Sequence, residues 1–172
     1  MICQVLRRQA GASKLELVVV VLIFAMLMAV YLRYTRHYQE MAEEAAVNVL
    51  LSNIRVGMAQ EWVERIAKSK TREGVAELVG TNPVRWLDSP PAGYLGELKL
   101  PKVDTLAAGS WFYDISRREL VYVVKLGDNL EIVGSLPRKM LRWKVISSDN
   151  SLTITPDFGD LILAPVVDYR WF

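Results

Sequence analysis

From Leu15 to Leu32 the chain carries one polar side chain, Glu16, in eighteen residues, and no proline or glycine interrupts the stretch from Ala12 to Val56. At about 1.5 Å per residue the run is roughly 27 Å long, close to the hydrocarbon thickness of a bilayer, so it predicts a membrane-spanning helix. A secretory signal peptide would have a shorter apolar region with a small-residue cleavage site behind it. Here Val30-Tyr31-Leu32-Arg33-Tyr34 follows instead. Further on, Val47, Leu51, Ile54, Met58, Trp62 and Ile66 recur at helical spacing. This stripe predicts that the same helix continues with one apolar face laid on a head. Glu40, Glu43, Glu44, Arg55, Glu61 and Arg65 are assigned to the opposite, solvated face. The expectation is one helix from about Ala12 to about Lys68, roughly 85 Å long. Gly57 inside it costs about 1 kcal/mol relative to alanine, which packing can offset.

After the helix the pattern shortens. Thr71 to Val79 predicts a second short helix closed by Gly80, Asn82 and Pro83, and Asp88 to Gly93 predicts a loop. The remainder alternates as strands do. Trp111–Ile115 and Leu120–Leu126 flank a four-residue turn, Leu130–Val133 follows Gly127-Asp128-Asn129, and Met140–Ile146 is joined by Ser147–Asn150 to Ser151–Thr155. Leu161 to Arg170 predicts a last strand in which Pro165 demands an edge or a break. The fold class expected is α+β: a long N-terminal helix, its first half in lipid, packed on an antiparallel sheet head built as meander hairpins.

Composition sharpens this picture. The hydrophobic fraction of 52% and mean hydropathy of +0.18 are high for 172 residues and are accounted for by the apolar run. The formal net charge is +2, and loss of the first eleven residues, with Arg7 and Arg8, would leave zero, so no nucleic-acid surface is expected. Arg7, Arg8 and Lys14 before the run outnumber Arg33 and Arg36 after it, which favours an inside N-terminus. Cys3 is the only cysteine. The head is therefore expected to hold by packing, without an intramolecular disulfide or a thiolate zinc site, and no cofactor is expected.

The segment Gly11-Ala12-Ser13-Lys14-Leu15-Glu16-Leu17, behind a short basic leader and ahead of an apolar helix, resembles the class III signal of type IV prepilins and type II secretion pseudopilins. The resemblance implies a division into a leader at 1–11, a transmembrane segment at 12–33 and a periplasmic head at 34–172. It also implies that a prepilin peptidase cuts between Gly11 and Ala12, that Ala12 becomes the N-methylated first residue, and that Glu16, fifth in the mature chain, directs assembly. Partners implied are the prepilin peptidase, other pilin or pseudopilin subunits, the inner-membrane assembly platform and the lipid bilayer. The pattern departs from the family at Ala12, usually phenylalanine, at Lys14, usually uncharged, and in lacking a proline about twenty residues into the mature helix. Trp111-Phe112-Tyr113-Asp114 with Leu120-Val121-Tyr122 looks like the first sheet hairpin of many such heads. The resemblance leaves open a type IV pilus or a type II secretion pseudopilus. The lack of a C-terminal cysteine pair favours a minor subunit.

Other features point to no chemistry. His37 is the lone histidine, Asp157-Phe158-Gly159 stands without the other kinase motifs, and Asp149, Asp157 and Asp160 lack regular calcium-ligand spacing. Tyr31, Tyr34 and Tyr38 suit a membrane interface, and the five tryptophans are too scattered for a stacking platform. The functional alternatives are a non-enzymatic filament subunit and a single-span inner-membrane protein whose periplasmic head binds a partner or ligand. No nucleophile elbow, metal motif or histidine pair supports a hydrolase.

Overall fold

The computed structural model describes residues 13–67, 77–99, 101, 105–133, 139–147 and 161–172. The chain falls into two units that divide between Gln39 and Glu40. One helix, α1 (Lys14–Ala67), runs through the boundary, close to the span expected. In the first unit no described residue is buried; Leu15, Leu22, Phe24 and Leu27 are 76%, 63%, 68% and 61% exposed.

The second unit is an α+β head. Its strands are β1 (Tyr94–Leu98), β2 (Trp111–Asp114), β3 (Glu119–Val123), β4 (Leu130–Ile132), β5 (Met140–Ser147), β6 (Leu161–Pro165) and β7 (Tyr169–Trp171). Five form a sheet in the order β1-β2-β3-β5-β6, and β4 pairs with β7 apart from it. The β2–β3 hairpin sets Trp111 opposite Tyr122 and Tyr113 opposite Leu120, and β5 continues the register with Leu120 opposite Trp143. Facing residues share a side of the sheet. Trp111, Leu120, Tyr122, Leu141, Trp143, Val145 and Leu163 therefore lie on one face, where they cluster with Val47, Leu51, Ile54 and Met58 of α1. Trp111 stacks on Trp143 with ring centroids 5.7 Å apart and lies 4.5 Å from Tyr122. Phe112, Val121, Val123 and Met140 form a second cluster with Leu98 and Leu106.

The tryptophans fill the core as expected: Trp111, Trp143 and Trp171 are buried, and Trp62 and Trp86 pack against the cluster half-buried. Several expectations need correction. The sheet is mixed, because β1, which the sequence pattern did not predict, runs parallel to β2 with an irregular register around Gly96 at φ +89°. β4 does not close a meander with β3 but pairs with β7, Leu130 opposite Trp171. The partner of β5 is β6, and the expected strand Ser151–Thr155 lies outside the described residues. The last segment divides into β6 and β7 just after Pro165, and β6 is an edge strand, so the proline acts in both the ways anticipated. Of the expected helix Thr71–Val79, residues 71–76 lie outside the description, and Glu77 to Gly80 form a turn rather than helix. A 3-10 turn at Pro83–Trp86 follows, capped by the Asn82 side chain, which accepts from Val84 N at 3.1 Å.

Gly57 has a packing reason. A Cβ built there would overlap the carbonyl oxygen of Trp86 and stand 3.0 Å from Trp86 Cβ, so the 3-10 turn rests directly on the helix backbone. We expect Gly57→Ala to destabilise the head by about 1–3 kcal/mol through overpacking, against the gain of about 1 kcal/mol that helix propensity alone would give. Thermal unfolding of the variant gives the sign directly, and a raised Tm would contradict this packing account.

Candidate functional site

Of the residues singled out by the prepilin-like segment, the described structure holds Glu16; Gly11 and Ala12 lie outside it. Glu16 occupies the first turn of α1. Its backbone N–H donates to Ser13 Oγ at 3.2 Å, and Leu17 N donates to Ser13 O at 3.1 Å, so Ser13 is the N-cap. Ser13-Lys14-Leu15-Glu16 thus has the spacing of a capping box, a signal that sequence reasoning had passed over. A carboxylate at this place also lies at the positive end of the helix dipole. Both side chains are exposed. Ser13 thus starts the helix, and the Glu16 carboxyl stands exposed in its first turn.

The head contains a pair of carboxylates, Glu40 and Glu43, expected on the solvated face. Glu40 is 2% exposed and Glu43 is half-buried. They fall seven and four residues before Val47 and so continue the stripe that packs on the sheet. Glu40 accepts from Asn129 N and Asn129 Nδ2, each at 2.8 Å, and from Trp171 Nε1 at 3.1 Å. Glu43 accepts from Tyr122 Oη at 2.8 Å, from Lys125 N at 2.7 Å and from Leu126 N at 2.8 Å. Lys139 Nζ donates to the carbonyls of Gly127 and Leu130 on the same loop.

The electrostatics follow the geometry. Burial pushes the Glu40 carboxyl up, but the Asn129 backbone, the Trp171 indole, the Asn129 amide and the charge of Lys139 outweigh it and hold Glu40 below the ordinary carboxylate value. Burial, reinforced by the hydrogen bond to Glu43, pushes the Tyr122 phenol well above its ordinary range. Tyr122 therefore stays a donor at any physiological pH.

On the far side of the helix, Val49, Val56 and Val63 recur every seven residues at 60%, 56% and 52% exposure, with Ala45 exposed and Ala59 partly exposed on the same face. This apolar face is uncovered in the single chain. Among the described residues no group of three histidine, cysteine, aspartate or glutamate side chains is arranged to hold a metal ion. Asp149, Asp157 and Asp160, with the Asp157-Phe158-Gly159 triplet, lie outside those residues. No protein-family model, curated protein or solved structure matches the chain.

Because the folded-state pKa of Glu40 is depressed, its contribution to stability is present above the unfolded value of about 4.3 and is lost as pH falls through the folded value. Glu40→Gln swaps one acceptor for a donor opposite other donors and is expected to cost about 1–3 kcal/mol at neutral pH. The gap in Tm between wild type and Glu40→Gln should narrow below about pH 4.3. A gap unchanged between pH 7 and pH 3 would show that the charge of Glu40 contributes nothing. Comparing the two proteins also removes the contribution of Glu97, which its bond from Asn82 lowers in the same way.

Proposed function

We propose that this chain is a non-enzymatic structural subunit, of the minor pilin or pseudopilin kind, that assembles through α1 into a type IV pilus or type II secretion pseudopilus. In this account residues 12–33 cross the bacterial inner membrane once, residues 34–172 stand in the periplasm, and residues 1–11 are a leader removed by prepilin peptidase. The observation that carries the proposal is the division of labour along α1. From Leu15 to Leu32 it is apolar and exposed, and beyond Glu40 it supplies the stripe on which the head is built. A helix that leaves so much apolar surface uncovered needs lipid or other helices around it. The uncovered valines at Val49, Val56 and Val63 leave a narrower apolar face beyond the membrane run, open to neighbouring helices. The prepilin-like Gly11-Ala12 junction and the acid at Glu16 support the same reading.

Cleavage between Gly11 and Ala12 with N-methylation of Ala12 is expected in the mature protein. Mass spectrometry of the N-terminal peptide reads it, and a membrane-extracted protein retaining Met1 to Gly11 would instead favour a single-span protein with a ligand-binding head.

Glu16 is expected to direct assembly rather than insertion. One acid at the edge of the run lowers insertion by no more than about 3 kcal/mol, whereas an unpaired carboxylate in lipid needs a cation, which the amine of a neighbouring subunit's Ala12 would supply. Glutamine satisfies the same capping-box position as glutamate. Glu16→Gln therefore keeps the helix start and removes the charge. It should insert and be cleaved, yet enter filaments at a small fraction of the wild-type level in sheared preparations. Wild-type incorporation would show that Glu16 is not the assembly contact.

A further inference from the structure

Between α1 and the loop that follows the 3-10 turn lies a cleft of about 550 Å³, lined among others by Asn53, Gln60, Trp86, Asp88, Ser89 and Pro91. Its size is within the range of roughly 300–1,000 Å³ typical of small-ligand sites. The walls are fixed. Trp86 is pressed on the helix backbone at Gly57, Tyr94 N donates to Pro91 O at 3.1 Å, and the consecutive prolines Pro90 and Pro91 limit the loop to few backbone conformations. A cleft held in this way loses little ordering entropy when it binds.

Its polar groups are uncommitted. The side chains of Asn53, Gln60, Asp88 and Ser89 have no hydrogen-bond or ion-pair partner among the described residues. Asn53 and Gln60 are two helical turns apart, about 10 Å, on one side of α1. That spacing suits an elongated ligand better than a small ion. Each carboxamide offers a planar donor and acceptor side by side, a match for two adjacent hydroxyls. Asp88 adds an acceptor, and Ser89 adds a donor and acceptor. The lining is mostly polar, as a ligand rich in hydroxyls requires, and the half-buried Trp86, which packs on the core, and the two prolines supply its smaller apolar part. The lining contains one carboxylate and no cationic side chain, so anionic ligands are disfavoured.

We propose that this cleft binds a neutral glycan chain. The assignment stands on the head alone and does not depend on filament assembly.

Isothermal titration of the full-length protein in a zwitterionic detergent, with cellotetraose, maltotetraose and chitotetraose as probes, tests it. The first two are plain hexose chains and the third is N-acetylated, so the preferred probe identifies the class. The expected result is saturable binding of at least one tetrasaccharide, weakened about tenfold or more by each of Gln60→Ala and Asp88→Ala, since each removes a hydrogen bond to the ligand. Both positions are exposed, so thermal unfolding should be unchanged. Three outcomes would overturn the proposal: no saturation with any of the three, binding unaffected by both substitutions, or binding of tetralysine in place of the sugars.

Discussion

The head depends on where the backbone N–H groups of one crossing go. After β3 the chain leaves the five-stranded sheet to reach β4, whose partner is β7, so from Lys125 onward the residues between lose their ladder. Amides that lose a ladder need other acceptors, and at the exposed Lys125 and Asn129 and the half-buried Leu126 those acceptors come from α1 in place of water. Glu40 and Glu43 supply them, receiving Lys125 N, Leu126 N and Asn129 N, while Lys139 answers the carbonyls. Through Trp171 and Tyr122 the same carboxylates also hold β7 and β3. The face of α1 that packs on the head is thus apolar from Val47 to Met58 and anionic at its near end, each part matched to what it meets.

This explains which parts of the fold were legible in the sequence. α1, the β2–β3 hairpin and β5 rest on local periodicity and turn residues, and they appear within a few residues of the expected bounds. The break after Pro165 follows from the chemistry of one residue. By contrast β1 has a glycine at its centre and a charged Glu97, which hide its alternation, and it is placed by a parallel partner. The pairing of β4 with β7 joins segments 37 or more residues apart and leaves no local mark. The charge of Glu40 and Glu43 points to the solvated face, and their spacing to the packed one. Their positions on the stripe of Val47, Leu51 and Ile54 held the correct signal.

The candidate sites divide in the same way. The capping-box spacing from Ser13 to Glu16 is visible in the sequence and is compatible with the assembly role proposed for Glu16. The cleft beside Trp86 had no sequence signature, because Asn53 and Gln60 on the helix meet Asp88 and Ser89 only once the 3-10 turn has docked on Gly57.

The stretch of α1 beyond Glu40 belongs to the head, and the stretch before it does not. The direct measurement is amide hydrogen exchange, with circular dichroism, on a chain beginning at Tyr38 in reducing buffer without metal ions. The expected result is a soluble, cooperatively folded monomer whose amides from Val47 to Met58 are as protected as those of β3 and β5. A chain that is unfolded or aggregated, or that folds with this helix stretch unprotected, would contradict it.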